Sequence, residues 1–178
     1  GGTMNVLREG GTGAQDLGFI CTCCVANAVV TSSPILSIGT VATPAAQTMR
    51  INSTAPIGNL VVNTTNSPIA SLNTNALTVR GYVDIQTGTT LITNNLNFTV
   101  AGNWTNAGTY TPGTNTTTFN GTTNVLGAST TTFYNITNSA ILTGHATNMG
   151  VSNNWIDNGT FNHNSGTVTF SAGNNNSM

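Results

Sequence analysis

Slid along itself, the chain matches at three offsets that agree with one another, and this self-similarity limits its fold more than any other feature. At an offset of 51, Asn103-Trp104 falls on Asn154-Trp155 and Gly108-Thr109-Tyr110 on Gly159-Thr160-Phe161. The same alignment runs without a gap to Thr116-Thr117-Thr118-Phe119 over Thr167-Val168-Thr169-Phe170. At 72, Asn63-Thr64-Thr65-Asn66-Ser67-Pro68-Ile69 falls on Asn135-Ile136-Thr137-Asn138-Ser139-Ala140-Ile141. The difference, 21, is itself present: Leu77-Thr78-Val79-Arg80-Gly81-Tyr82-Val83 overlays Phe98-Thr99-Val100-Ala101-Gly102-Asn103-Trp104, and Met149-Gly150-Val151-Ser152-Asn153-Asn154-Trp155 is a third copy.

Within each copy apolar and polar residues alternate, the period of a strand with one buried face. Ile57 to Val62, Leu96 to Val100, Thr116 to Asn120, Thr131 to Thr137 and Thr167 to Ser171 read the same way. Between them lies turn chemistry: Asn94-Asn95, Asn106-Ala107-Gly108, Pro112-Gly113, Asn120-Gly121, Asn158-Gly159 and Ser165-Gly166. Thr and Asn number 35 and 27 of 178 residues. Threonine packs its branched Cβ on a pleated surface, and asparagine bonds its own backbone in turns, so the class is all-β. Short strands with turns this frequent admit a sandwich, a barrel or a solenoid. The shortest of the three offsets is the size of one coil, which predicts a β-solenoid of stacked repeats over residues 57–178. Val79, Val100 and Val151 would then share one interior column, and Trp104 and Trp155 would stack on one face. Residues 1–56 do not match the repeat. The alternative is a β-sandwich subunit completed by a donated strand.

Charge limits the partners. Lys+Arg number 3 and Asp+Glu 4, about 4% where ordinary domains carry about a quarter. Arg8, Arg50 and Arg80 are the whole basic complement, too few and too scattered to neutralise a phosphate backbone, so no nucleic-acid partner is expected. The longest apolar run, Leu17 to Val30, is too short to span a bilayer. With Glu9 and Asp16 ahead of it, it is also poor as a signal sequence. A surface without charge suits a molecule coated in sugar or packed against other subunits rather than a free cytosolic monomer.

The run Thr131-Thr132-Phe133-Tyr134-Asn135-Ile136-Thr137, the Asn-Trp-x-Asn-x-Gly-Thr-aromatic block and the Thr-x-Thr-Phe-Asn-Gly strand before it resemble the tandem β-strand repeats of giant secreted surface proteins. These are the adhesin-like proteins of Bacteroidetes-type bacteria, many exported by the type IX route. The resemblance covers residues 57–178. It implies repetitive β-architecture, cell-surface or extracellular placement and an adhesive or fibrous role.

No residue set points to catalysis or to a cofactor. Glycoside hydrolysis needs two carboxylates at a fixed separation, and the chain offers only Glu9, Asp16, Asp84 and Asp157. His145 and His163 with Asp84 and Asp157 form the one conceivable acid–base set, but both aspartates sit where turns need them. Phosphate-loop, nucleophile-elbow and metalloprotease motifs are missing from the sequence. Cys21, Cys23 and Cys24 lack the spacing and fourth ligand of a tetrahedral metal site; a disulfide to another subunit and inert buried thiols remain open. Asn-x-Ser/Thr acceptors for glycans occur at Asn52, Asn63, Asn97, Asn103, Asn115, Asn120, Asn135, Asn158 and Asn175, about as many as this composition gives by chance. Tyr82, Trp104, Tyr110, Phe119, Tyr134, Trp155 and Phe161 could face a sugar, but their repeat-equivalent placement favours packing.

The expectation is a non-enzymatic structural subunit of an extracellular filament or cell-surface fibre, joined head to tail into a homopolymer. Covalent glycans or a surface polysaccharide are its other expected partners. The alternative is a carbohydrate- or surface-binding adhesin module. The last repeat stops after the Thr167 strand, so a strand from a neighbouring copy, Ile35 to Ile38 or Val25 to Val30, is the expected complement.

Overall fold

The computed structural model describes residues 2–7, 17–19 and 34–171. Their regular structure is entirely β, and the chain winds as a β-solenoid through three walls in a fixed order. The first wall comprises β1 (Thr3–Val6), β3 (Ile35–Ile38), β5 (Asn59–Val62), β8 (Val83–Ile85), β11 (Trp104–Asn106), β14 (Thr122–Leu126), β17 (Ile141–Thr143) and β20 (Thr160–Asn162). The second comprises β2 (Leu17–Phe19), β4 (Thr48–Ser53), β6 (Ile69–Leu72), β9 (Thr90–Ile92) and β12 (Thr109–Thr111). It breaks there and resumes, at the same place in the winding order, as β15 (Thr132–Phe133), β18 (Asn148–Val151) and β21 (Thr167–Phe170). The third holds β7 (Leu77–Val79), β10 (Phe98–Val100), β13 (Thr116–Phe119), β16 (Asn135–Asn138) and β19 (Trp155–Asp157), preceded by a single bridge from Ile57 to Val79.

Every strand pair is parallel and in register, so the alternation seen in the sequence becomes columns. Leu77 faces Phe98, and Phe98 in turn faces Thr117, a coil shorter by two positions. The shortening arises at one corner, where the segment 86–89 gives way to Ala107-Gly108 alone. Gly108 permits this: a Cβ there would strike the carbonyls of Gln86 and Thr89 on the preceding turn. Corners that turn more sharply put Asn66, Ser67, Asn94, Asn95, Asn164 and Ser165 at positive φ, where asparagine is the best tolerated residue after glycine.

The core is a continuous apolar column inside the three walls, including Leu60, Val83, Leu77, Phe98, Val100, Trp104, Phe133, Ile136, Met149 and Trp155. The outward members of the same strands are mostly polar. Asparagine also enters the interior: Asn138 is fully buried, and its Nδ2 donates to Asp157 Oδ1 and to the Thr160 carbonyl one turn later. Buried polar groups must be bonded, and each turn offers the next one backbone and side-chain oxygens at a fixed height.

Three expectations are revised. Val79, Val100 and Val151 are all buried, but only the first two share a column; Val151 stands on the second wall between Phe133 and Phe170. Trp104 is on the first wall and Trp155 on the third. Ile35–Ile38, set apart in the sequence because it fails to match the repeat, is paired on both edges within the chain, with β1 and β5. It therefore has no free edge to lend to another copy. Val25 to Val30 lies outside the described residues.

Candidate interaction surfaces

The repeated tryptophan block builds the same local object twice. Trp104 meets Tyr110 edge to face at 4.7 Å between ring centroids, and Trp155 meets Phe161 at 4.8 Å. In both, a strand carrying Trp is followed by a short corner ending in Gly, then Thr and an inward aromatic ring. In the first copy the next turn closes over it. Phe133 packs on Trp104 at 5.2 Å, and Thr131 Oγ1 accepts from both Trp104 Nε1 and Asn106 Nδ2 at 3.2 and 3.0 Å. Here the second wall breaks between β12 and β15. Tyr110 fills the seam, its hydroxyl 3.0 Å from Thr117 Oγ1 and accepting from Asn115 Nδ2. Burial raises the Tyr110 pKa above the ordinary 10.0, only partly opposed by its hydrogen bonds to Thr117, Asn115 and Thr93.

The second copy lies on the last rung among the described residues. β19, β20 and β21 are each the last strand of their sheet. Phe161, Val168 and Phe170 are half-buried, whereas their partners one turn earlier, Leu142, Met149 and Val151, are fully buried. Trp155 is 1% exposed, yet its Nε1 has no hydrogen-bond partner among the described residues. β1 and β2 are the outermost strands of their sheets among the described residues, and Met4, Pro34, Leu36, Pro56 and Ile57 line an apolar hollow of about 200 Å³ near them.

On the outside of the third wall, Thr78, Thr99, Thr118 and Thr137 stand in one column, followed by Ile156. Their spacing is that of parallel strands, about 4.8 Å. The neighbouring column is stitched to itself: Asn97 Oδ1 accepts from the Thr116 backbone N–H, and Asn135 Nδ2 donates to Thr116 Oγ1.

The residues singled out from the sequence disperse. Asn97, Asn103, Asn120 and Asn158 are exposed and could carry a sugar, while Asn63 and Asn135 are half-buried. Asn52 and Asn115 are buried and hydrogen-bonded, leaving no room for a glycan in the folded coil. Asn175 and the cysteines Cys21, Cys23 and Cys24 lie outside the described residues. Asp84 accepts from Gln86, and Asp157 from Asn138 and the Gly159 N–H, as turn-stabilising aspartates do. His145 bonds the Gly127 carbonyl and Thr147, and His163 is exposed in a turn. Of the aromatic set only Tyr82 is exposed; Trp104, Phe119 and Trp155 are interior. Sequence reading missed the orphaned indole N–H. No local motif marks it, because the acceptor that satisfies Trp104 is Thr131, a residue of the next turn and far along the chain. No helix among the described residues is long and apolar enough to cross a membrane. Comparison with protein-family models, with curated proteins and with solved structures found no match.

Proposed function

We propose that this chain is a structural subunit of an extracellular filament or cell-surface fibre, built by continuing its own coil stacking from copy to copy. The observation that supports it is the stacking itself: parallel, in-register strands repeat from rung to rung on three walls, a contact that a second copy can repeat. Unpaired strand edges are templates for further strands, and a head-to-tail contact that does not close on itself propagates. The near absence of charge removes the repulsion that normally keeps copies apart. It also fits an extracellular surface whose exposed asparagines and threonines carry sugar. Sedimentation and electron microscopy at rising concentration test the reading: association should be nearly independent of salt, because no ion pair is involved, and should yield unbranched rods. A chain that stays monomeric at millimolar concentration would contradict it. Intact mass of native material tests the sugar; a homogeneous 18.2 kDa per chain would mean that none is attached.

The threonine column favours a second reading, an adhesin module that binds a polysaccharide or another ordered surface through the third wall. A flat row of hydroxyl and methyl groups at strand spacing can lie along a regular uncharged polymer. Replacing Thr99 and Thr118 by Lys should abolish retention on insoluble polysaccharide without altering the fold. Absence of any retention by the unaltered chain would dispose of this reading.

A further inference from the structure

We infer that a four-residue cell on the outer face of the first wall, Tyr82, Asp84, Asn103 and Thr105, binds a neutral hexopyranose unit of a polysaccharide. The cell lies on a different wall from the threonine column and needs no contact between copies.

Register builds the cell. β8 and β11 are adjacent parallel strands with Asp84 opposite Thr105, and the Val83 N–H bonds the Asn103 carbonyl at 2.9 Å, which sets Tyr82 beside Asn103 one step earlier. Alternation turns these four outward, because Val83, Ile85, Trp104 and Asn106 are buried on the same strands. The layer beneath is therefore sealed, and it holds the cell rigidly. Tyr82 is the one exposed aromatic ring among the side chains described, at 37%. Gly81 and Gly102 form the corner ahead of it, stacked so closely that a Cβ on Gly102 would lie 2.7 Å from the Gly81 carbonyl carbon. Arg80, at the same corner, is half-buried and already has a partner.

The polar groups are oriented, and each keeps an atom to offer. Gln86 Nε2 donates to Asp84 Oδ2 at 3.1 Å, while Asp84 Oδ1 has no partner among the described residues. Asn103 Oδ1 accepts from the Asn124 N–H and Nδ2 at 3.1 and 3.0 Å, which leaves its own Nδ2 unpaired among the described residues at an exposed position. A hexopyranose fits this set. The sugar face that carries axial C–H groups is apolar and lies against an aromatic ring. Of two adjacent hydroxyls, one donates to the carboxylate in a charge-assisted bond, and its neighbour accepts from the amide. An acidic sugar would meet Asp84 with like charge, so the unit is neutral. Asp157, the other carboxylate described, commits Oδ1 to Asn138 and Gly159 within its turn, and no exposed ring stands beside it. A flat cell buries less of a sugar than a cleft does, so the occupant is a polymer that presents the same unit many times rather than a free monosaccharide.

The test titrates the unglycosylated, uniformly ¹⁵N-labelled chain with three soluble neutral polysaccharides, a mixed-linkage β-glucan, an α-mannan and a galactomannan, and follows amide shifts by NMR. The amides of Tyr82, Asp84, Asn103 and Thr105 should shift with at least one of them, and those of Thr99 and Thr118 should not. Tyr82→Ala and Asp84→Asn should each weaken binding roughly tenfold, the scale of one good contact. Tyr82→Phe keeps the ring and should bind nearly as well as the parent chain. Circular dichroism of all three variants should match the parent, since none of them alters a buried group. Shifts confined to the third wall would overturn the sugar cell and support the threonine column instead. No shift with any of the three polymers, or binding unchanged by Tyr82→Ala in a folded chain, would overturn it as well. Association between copies is read separately by sedimentation, so the fibre reading stands or falls on its own.

Discussion

The two tryptophan blocks, residues 104–119 and 155–170, align residue for residue, share their corners and ring geometry, and yet occupy different walls. Two coils carry the position of Trp104 on the first wall to Val125 and then to the end of β17. From there the chain crosses the second wall as β18 and reaches Trp155 on the third, one wall short of another full coil. The repeat therefore encodes a strand–corner–strand unit rather than a whole number of coils, and coil length alone decides which wall the unit lands on. One solenoid interior accepts the unit in either setting because each wall offers the same thing, parallel strands with inward apolar residues. What differs is the cover. The first block has a turn above it; the second has none among the described residues.

Matched substitutions sharpen that contrast. Phe119 is fully buried, and its counterpart Phe170 is half-exposed on the last strand. Phe119→Ala should cost about 3–5 kcal/mol, the usual loss for a large buried ring, while Phe170→Ala in the monomer should cost less than half as much. Equal losses in denaturant melts would mean that the second block is covered after all.

A comparable effect is expected at Thr131, whose hydroxyl serves two buried donors of the first block. Thr131→Val preserves shape but strands Trp104 Nε1 and Asn106 Nδ2, at about 1–3 kcal/mol for each unsatisfied group. The loss should largely disappear in a Trp104→Phe, Asn106→Leu background, a double-mutant cycle that isolates the hydrogen bonds from the packing. Additive losses would show that the hydroxyl is not their partner.

The smallest difference lies between Tyr110 and Phe161, which share a position except for the hydroxyl. Because burial raises the Tyr110 pKa above 10.0, the folded state holds its proton more tightly than the unfolded chain does. Its contribution is fully present below the unfolded value and is lost as pH rises through the folded one. The wild-type chain should therefore lose stability above about pH 10, the ordinary tyrosine value, more steeply than Tyr110→Phe. Identical alkaline limbs would place the hydroxyl in solvent.

Much of this was legible in the residues themselves. The alternation of Leu77-Thr78-Val79 marked a strand, Asn-Gly and Asn-Asn pairs marked corners, and the match of Leu77 to Phe98 and Val83 to Trp104 identified true rung neighbours. The wall assignment was not legible. Past Val100 the column continues as Phe119, Asn138 and Asp157, which share neither size nor polarity, so the shortened coil leaves little self-similarity. The rungs before Ile57 were hidden for a related reason: Leu36 and Ile38 pair with Leu60 and Val62, which lie farther along the chain than the repeat's own offset would place them. Nor could the sequence separate exposed acceptors such as Asn120 from Asn115, which differ only in the direction that their strand or corner turns them.

Contacts between methyl groups and rings, measured by NMR on the selectively labelled monomer, test the central claim most directly. Val100 should show close contacts to Val79 and Phe119, and Val151 to Phe133 and Phe170, with none between Val100 and Val151. Contacts between Val100 and Val151, or between the rings of Trp104 and Trp155, would mean that the repeated tryptophan blocks stack in one column, and the three-walled winding described above would be wrong.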